Sequence, residues 1–294
     1  MEANNLTSGL SCFEQLIKYA KDLSEIYSSE QEKRNKLEST AQQLLNYAKD
    51  LNRSYLDLKV ARSELQEAYL DTIYRLVLAA EYKDEDTGDH IIRMSQYCAL
   101  IAEKIGLSLD EVQKMLYAAP MHDVGKIGIP DNILMKPGKL TEEEFAIVKT
   151  HTIIGAKILE NSKSDILNTA EQIAISHHEK WDGTGYPRGL SGTNIPLVGR
   201  ITSIADVFDA LSSKRPYKEP FPPEVVLSIL RKERGKQFDP DILDVFLAHI
   251  DEISKIKIEV ERGEKVLTVG LLWNSKDQEQ DDQPDADRAD TIPS

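Results

Sequence analysis

HHEKWDGTGYP, residues 177–187, sets two histidines side by side, follows them with a glutamate, and then turns glycine-rich around Gly185-Tyr186-Pro187. Paired imidazoles have no use in an apolar core, and a plain surface loop rarely carries both Trp181 and Tyr186. The segments on either side read as helices. Upstream, Pro137-Gly138 makes a turn, and Thr141 to Glu144 opens a helix with a capping box, followed by Phe145, Val148 and Ile154 at helical spacing. Downstream, LVGRITSIADVFDALSS (197–213) has apolar residues at helical period and carries Asp206 in its middle. Glu224 to Arg234 and Asp241 to Ile253 read as two further helices. Strand signals are almost confined to IKIEV and KVLTVGLLW within residues 256–273, whose alternation suggests a small hairpin. The expected fold class is all-α, with that C-terminal appendix over 256–275.

The first third has a different rhythm. Leu37, Leu44, Leu51, Leu58 and Leu65 recur every seven residues, with Leu16 and Leu23 in the same phase. Ala41, Ala48, Tyr55, Arg62 and Tyr69 interleave four positions later. Five consecutive heptads of this kind predict a coiled coil, and no proline precedes Pro120 to stop the helix. A parallel dimeric stalk over residues 1–72 is the favoured arrangement, with an intramolecular helical hairpin or bundle as the other. Arg62 and Tyr69 loosen the seam where Ile or Leu would lock it.

Composition sets outer bounds. The 294 residues include 40% hydrophobic ones, enough for a core, and carry a net charge of −14. That charge opposes sequence-independent binding to DNA. An anionic substrate therefore needs local help from metal ions or basic side chains. Residues 276–294 contribute seven acidic and two basic residues without an aromatic, and read as a disordered acidic tail. Cys12 and Cys98 are too far apart in sequence for a zinc knuckle or a disulfide framework. No charged-then-apolar leader opens the chain and no apolar run reaches a membrane span. The expected setting is cytoplasmic, away from the membrane.

The chemistry lies in the histidines. Of six, His249 stands among charged neighbours on a terminal helix and reads as ordinary. The others have company: His122 precedes Asp123 in AAPMHDVGKIGIPD, His177 adjoins His178, and His90 follows Asp84, Asp86 and Asp89. Adjacent ligands on a helix point apart, so such a pair suits two metal ions better than one. Asp123 can bridge two ions through its two oxygens, with His122 on one and His177 or His178 on the other. Imidazole and carboxylate ligands without thiolate favour iron, manganese or zinc. Two ions about 3.5–4 Å apart hold a hydroxide between them and clamp an in-line displacement at phosphorus.

Four blocks in order, HDVGK (122–126), His151 in KTHTIIGAKIL, HHEKWDGTGYPRGL (177–190) and Asp206 in IADVFDAL, resemble the HD-GYP phosphodiesterases, a branch of the HD phosphohydrolases that hydrolyses cyclic di-GMP. The resemblance covers about residues 73–255 and implies an HD-type helical bundle. It places His90, His122, Asp123, His151, His177, His178 and Asp206 at metal-ligand positions. Asp86, four residues before His90, matches an acidic ligand to a third metal in some members; a solvated residue near a helix start capped by Thr87 is the other reading. Two or three divalent ions, iron or manganese, are implied. Lys126 would reach a phosphate oxygen and offset charge in the transition state. Arg215 and Lys218 of KRPYK resemble the family's phosphate-contacting pair. Tyr186 would stack on or hydrogen-bond the ligand, and Gly185 would let the backbone approach it.

The function these residues imply is hydrolysis of cyclic di-GMP to pGpG, GMP or both, with Asp123 and Lys126 catalytic. A phosphodiesterase for another cyclic dinucleotide, and a receptor that binds without turnover, are the alternatives. The expected partners are cyclic di-GMP, a second copy of the chain through the coiled coil, and a diguanylate cyclase domain docking on the GYP loop. The 70 or so residues upstream are too few and too helical for a receiver domain.

Overall fold

The structure, a computed structural model, describes residues 3–83, 88–214 and 219–263, with side chains from Phe13 onward. All regular elements among the described residues are helical. They divide into two compact units, residues 1–66 and residues 67–294.

Helix α1, Ala3–Glu81, is one uninterrupted helix that begins in the first unit and ends in the second. No hairpin interrupts it, so the intramolecular hairpin is overturned: nothing among its residues breaks a helix. Within the first unit the heptad leucines from Leu16 to Leu65 are each 62–73% exposed. An apolar stripe of this length on a lone helix has its hydrophobic face in water, which is the condition that coiled-coil pairing relieves.

In the second unit the end of α1 is followed by α2 (Gly88–Lys104), α3 (Leu109–Ala118), two short 3₁₀ turns at Ala119–Met121 and Val124–Gly128, and α4 (Asp131–Leu134). Then come α5 (Glu142–Lys149), α6 (His151–Leu159), α7 (Asp165–Ser176), a 3₁₀ turn at Gly192–Asn194, α8 (Leu197–Ser212), α9 (Pro223–Lys232), α10 (Pro240–Ala248) and α11 (Ile250–Glu261). Helix α2 is central. It packs against α3, α8 and α11, while α7 lies against α3, α6 and α8. The core runs through Ile91, Met94, Tyr97, Cys98 and Ile101 of α2 to Ile173 of α7, Ile201 and Ile204 of α8, and Phe246 of α10.

Local signals explain most boundaries. The Thr141 hydroxyl accepts from Glu144 N at 3.2 Å while the Glu144 carboxylate accepts from Thr141 N at 2.8 Å, the capping box expected for α5. Two expectations fail. The segment read as one helix from Asp241 to Ile253 is two, because the backbone at His249 leaves the helical conformation. Residues 256–260 form no strand of a hairpin: they are the second half of α11, with Ile253, Ile256 and Val260 buried. Alternation in IKIEV is real, but the three-and-four spacing of the buried positions decides for a helix. The remainder of that expected hairpin, and the acidic tail, lie outside the described residues.

Candidate metal centre and active site

The site forms where helix ends meet. His90 lies in the first turn of α2; His122 and Asp123 occupy the joint between two 3₁₀ turns; His151 is the first residue of α6; His177 caps the C-terminus of α7 and His178 follows it. Only Asp206 comes from a helix interior, that of α8. Gly125 makes the meeting feasible. A Cβ there would stand 1.9 Å from His151 O and 2.5 Å from Gly155 N, so only glycine lets the Asp123 turn lie against α6.

The side chains fall into two groups of donors. Asp123, His151, His177 and His178 form one; His90, His122 and Asp206 form the other, the ligand atoms within each lying within 4.8 Å of one another. Asp123 links them. Its Oδ1 is 3.2 Å from His151 Nε2 and 3.4 Å from His177 Nε2, and its Oδ2 is 3.4 Å from His122 Nε2. Asp206 Oδ1 is 4.0 Å from His122 Nε2.

Four of these imidazoles are oriented from behind. Nδ1 donates to Ala119 O in His122 (3.0 Å), to Val148 O in His151 (2.7 Å), and to Ile173 O and Ala174 O in His177 (3.1 Å each). In His90 it donates to the Asp209 carboxylate at 2.8 Å. With Nδ1 committed as donor, Nε2 is left as the lone-pair atom, the arrangement in which a histidine ligates a metal. His249 makes a similar bond to Val245 O without belonging to any cluster, so convergence of the Nε2 atoms is the distinguishing feature.

Charges reinforce the geometry. Burial opposes ionisation of Asp123, but Lys126, with Nζ 2.7 Å from Oδ2, and His122 hold its carboxyl well below the usual range. Burial likewise disfavours charge on His122, yet Asp123 and Asp206 override it and push the imidazole up to about 10, so a divalent ion binding there would displace a proton from Nε2. Burial, then neighbouring His177, drives His178 well down, which keeps it neutral and able to ligate.

His122 Nε2 and Asp123 Oδ1 are fully buried and accept or donate no hydrogen bond. Buried polar atoms are normally satisfied. A divalent cation placed among these donors satisfies both, and every donor is an imidazole nitrogen or a carboxylate oxygen. The residues fit a divalent metal centre.

The sequence missed two residues here. Asp209 is 2% exposed and accepts from Arg93 Nε at 2.6 Å, Arg93 Nη2 at 2.9 Å and His90 Nδ1. Burial resists its ionisation, but His90 and Arg93 hold its carboxyl far down. Spacing carried the signal: Arg93 follows His90, and Asp209 follows Asp206, by three residues, so each supporting side chain shares a helix face with a ligand. Adjacent ligands on a helix or at its end are expected to point apart, yet both rings of the histidine pair, 4.0 Å apart, join the same group, the one that would hold the second ion.

The loop after the pair is folded on Glu179, buried beneath it. Glu179 Oε1 accepts from Arg188 N at 2.7 Å and Oε2 from Leu190 N at 2.9 Å. A Cβ at Gly185 would stand 2.3 Å from Lys180 N and 2.5 Å from Glu179 Cα, so the loop's own packing already requires glycine here. The Tyr186 ring lies 4.8 Å from the His178 ring at 31°, at the edge of the four-donor group, and Lys149 Nζ sits 5.2 Å from the centre of its ring. Burial, then the charge of Asp123, raises the tyrosine hydroxyl above its ordinary range, so it remains a hydrogen-bond donor. Asp86, Arg215 and Lys218 lie outside the described residues. Among the described residues no helix is long and apolar enough to cross a membrane.

Known proteins resemble this chain in sequence. The chain is 44% identical over 194 residues to 3′3′-cGAMP-specific phosphodiesterase 2 of Vibrio cholerae, a match covering 66% of this chain and 37% of that protein. It is 45% identical over 199 residues to the cyclic di-GMP phosphodiesterase response regulator RpfG of Xanthomonas campestris, covering 68% and 53%. It is 44% identical over 194 residues to a cyclic di-GMP phosphodiesterase of Thermotoga maritima, covering 66% and 53%. The chain thus spans about half the length of these relatives, or less. Residues 72–242 match the HD domain as a family. With its His-Asp pair at the junction of the two donor groups and its histidine doublet leading into the Gly-Tyr-Pro loop, the chain belongs to the HD domain family, in its HD-GYP branch.

Proposed function

We propose that this protein is a metal-dependent phosphodiesterase that hydrolyses cyclic di-GMP. The observation that carries the reading is the convergence of His122, His151 and His177 on Asp123, each with Nδ1 tied back and Nε2 turned inward. Relatives at 44–45% identity that are named cyclic di-GMP phosphodiesterases support the substrate class. Asp123, His151, His177 and His178 would hold one divalent ion, and His90, His122 and Asp206, with Asp123 beside them, would hold the other. Iron or manganese suits these donors, and Asp86 is the candidate ligand for a third ion. When bound, two such ions supply a clamp for the attacking and leaving oxygens of an in-line displacement at phosphorus.

The chain's own groups do the rest. Lys126 stands over Asp123 Oδ2, where its ammonium can turn to a phosphate oxygen and take up developing negative charge. Tyr186 offers a ring face and a protonated hydroxyl at the mouth of the four-donor group. Arg215 and Lys218 grip the phosphates of a dianionic substrate against the −14 charge of the whole chain. Hydrolysis forms one P–O bond from water and breaks one P–O3′ bond, giving pGpG, and a second cycle gives GMP. The exposed leucine stripe of α1 pairs two copies in a parallel coiled coil, and the GYP loop is a docking surface for a diguanylate cyclase domain.

A second reading has its own support: a relative at 44% identity is named a 3′3′-cGAMP-specific phosphodiesterase. The deciding experiment is anaerobic purification, metal analysis, and parallel assays on cyclic di-GMP and 3′3′-cGAMP with separation of the linear and mononucleotide products. A kcat/KM higher for 3′3′-cGAMP sinks the preferred substrate; binding of either nucleotide without product identifies a receptor.

A further inference from the structure

Glu81, the last residue of α1, is badly placed for stability on two counts. It is 2% exposed, and it puts a carboxylate at a helix C-terminus, where the macrodipole already presents negative charge. Its Oε2 is fully buried and has no hydrogen-bond partner. Buried side-chain atoms in that condition are few among the described residues, and two others, His122 Nε2 and Asp123 Oδ1, are the metal-facing atoms at the centre of the site. Glu81 belongs to the same neighbourhood: burial and the charge of Asp123 push its carboxyl up, while Lys126, His122 and His90 pull it down.

A second, independent observation fixes its position. Two residues on, Lys83 Nζ donates to Ile127 O and Ile129 O at 2.7 Å each, and pairs with Asp131 at 3.3 Å. The chain leaving α1 is therefore pinned to the segment that follows Asp123 and Lys126. Glu81, two residues before this anchor, is thereby kept near the turn whose charges it feels.

We propose that Glu81 is a positioning carboxylate of the metal centre, one that supplies negative charge and an acceptor beside His122 and Asp123 and so governs how tightly the divalent ion is held there. The inference rests on the reading of these residues as a metal centre. Nothing in the spacing of the sequence motifs points to it, since Glu81 lies nine residues before His90 and outside every motif block.

The test uses full-length protein stripped of metal and titrated with Mn²⁺ alone by calorimetry, alongside thermal melts of the stripped protein. Glu81→Gln keeps the shape and removes the charge. It is expected to weaken Mn²⁺ binding in one class of sites by about 10- to 100-fold, the scale of losing an outer partner of a metal ligand. The stripped variant is expected to melt no lower than stripped wild type, because Oε2 makes no hydrogen bond that the substitution would remove. A residue that only supports the fold would lower the melting temperature and leave Mn²⁺ affinity alone, and that pair of results overturns the proposal. Glu81→Asp, which keeps the charge but withdraws it by one methylene, is expected to lose less affinity than Glu81→Gln; an equal or greater loss also overturns it. Wild type that takes up no Mn²⁺ refutes the metal centre itself, whereas wild-type affinity in Glu81→Gln refutes only the role of Glu81.

Discussion

The two donor groups are built by different means. In the four-donor group, His151 and His177 are aimed by main-chain carbonyls of their own or the preceding helical turn. In the three-donor group, His122 is likewise aimed by Ala119 O, but His90 is aimed by a side chain, Asp209, which also takes both contacts from buried Arg93. No substitution removes a carbonyl, whereas the support of His90 is a side chain that can be taken away with every proposed ligand intact.

The largest effect is expected where the groups join. Asp123 touches His122 through one oxygen and His151 and His177 through the other. Asp123→Ala should reduce turnover by more than the roughly 10²–10³-fold that losing a single electrostatic stabiliser costs, while the helical fold persists. Metal analysis should find at least one ion missing. Full metal content with full activity would dissolve the two-group description.

Asp209→Ala should separate the groups. It strands Arg93, 5% exposed, without its carboxylate, which costs about 3–5 kcal/mol for a buried pair broken from one side. It also releases His90, so metal should be lost from the three-donor group and kept by the four-donor group. Metal lost equally from both would show that the difference in support has no consequence. The pH dependence has a definite sign. The folded carboxyl of Asp209 lies below its unfolded value, so its contribution is present above about pH 4 and is lost as pH falls through the acid range. Melting temperatures of metal-free protein between pH 5 and pH 3 should therefore fall more steeply for wild type than for Asp209→Asn.

Arg215 and Lys218 provide a contrast with both groups, being assigned to phosphate rather than to metal. Alanine at either should raise KM by roughly tenfold, the scale of one hydrogen bond to a charged group, and leave metal content unchanged. Loss of metal in either variant would place it with the ligands instead.

What the sequence made legible follows the same division. Ligands sit in motifs whose residue types are improbable for any other purpose, so His90, His122, Asp123, His151, His177, His178 and Asp206 could be named before they were seen together. Their supports could not. Carbonyl acceptors have no residue type, Asp209 looks like any helix carboxylate, and Glu81 lies in a helix whose rhythm belongs to the stalk. The helical continuation through IKIEV was misread because its alternation masks the three-and-four spacing of Ile253, Ile256 and Val260, and no residue type marks the break at His249. That the loop's own packing also requires Gly185 was not legible, because its neighbours in space, Glu179 and Lys180, are also near it in sequence, and close self-packing leaves no distant signature.

The smallest effect on turnover is expected from the stalk, and it tests whether the leucine stripe is a seam. Leu37, Leu44, Leu51, Leu58 and Leu65 share one face only while the seven-residue register holds. One residue inserted after Leu58 turns everything beyond it by about 100°, so Leu65 leaves the face that Leu37 to Leu58 define. Three inserted residues bring it round by about 300°, and seven restore the register within about 20°. The parallel dimer should accordingly weaken most with one residue, less with three, and hardly at all with seven, as read by sedimentation. Deletion of residues 1–68 should give a monomer. Turnover should follow the same order with changes of a few-fold at most, because every donor of the metal centre lies in residues 67–294. A truncated protein that stays dimeric would move the interface off α1. Inserts that all dimerise and turn over like wild type would reduce the stripe to a tether, and its exposed leucines would then require a partner other than a second copy of this chain.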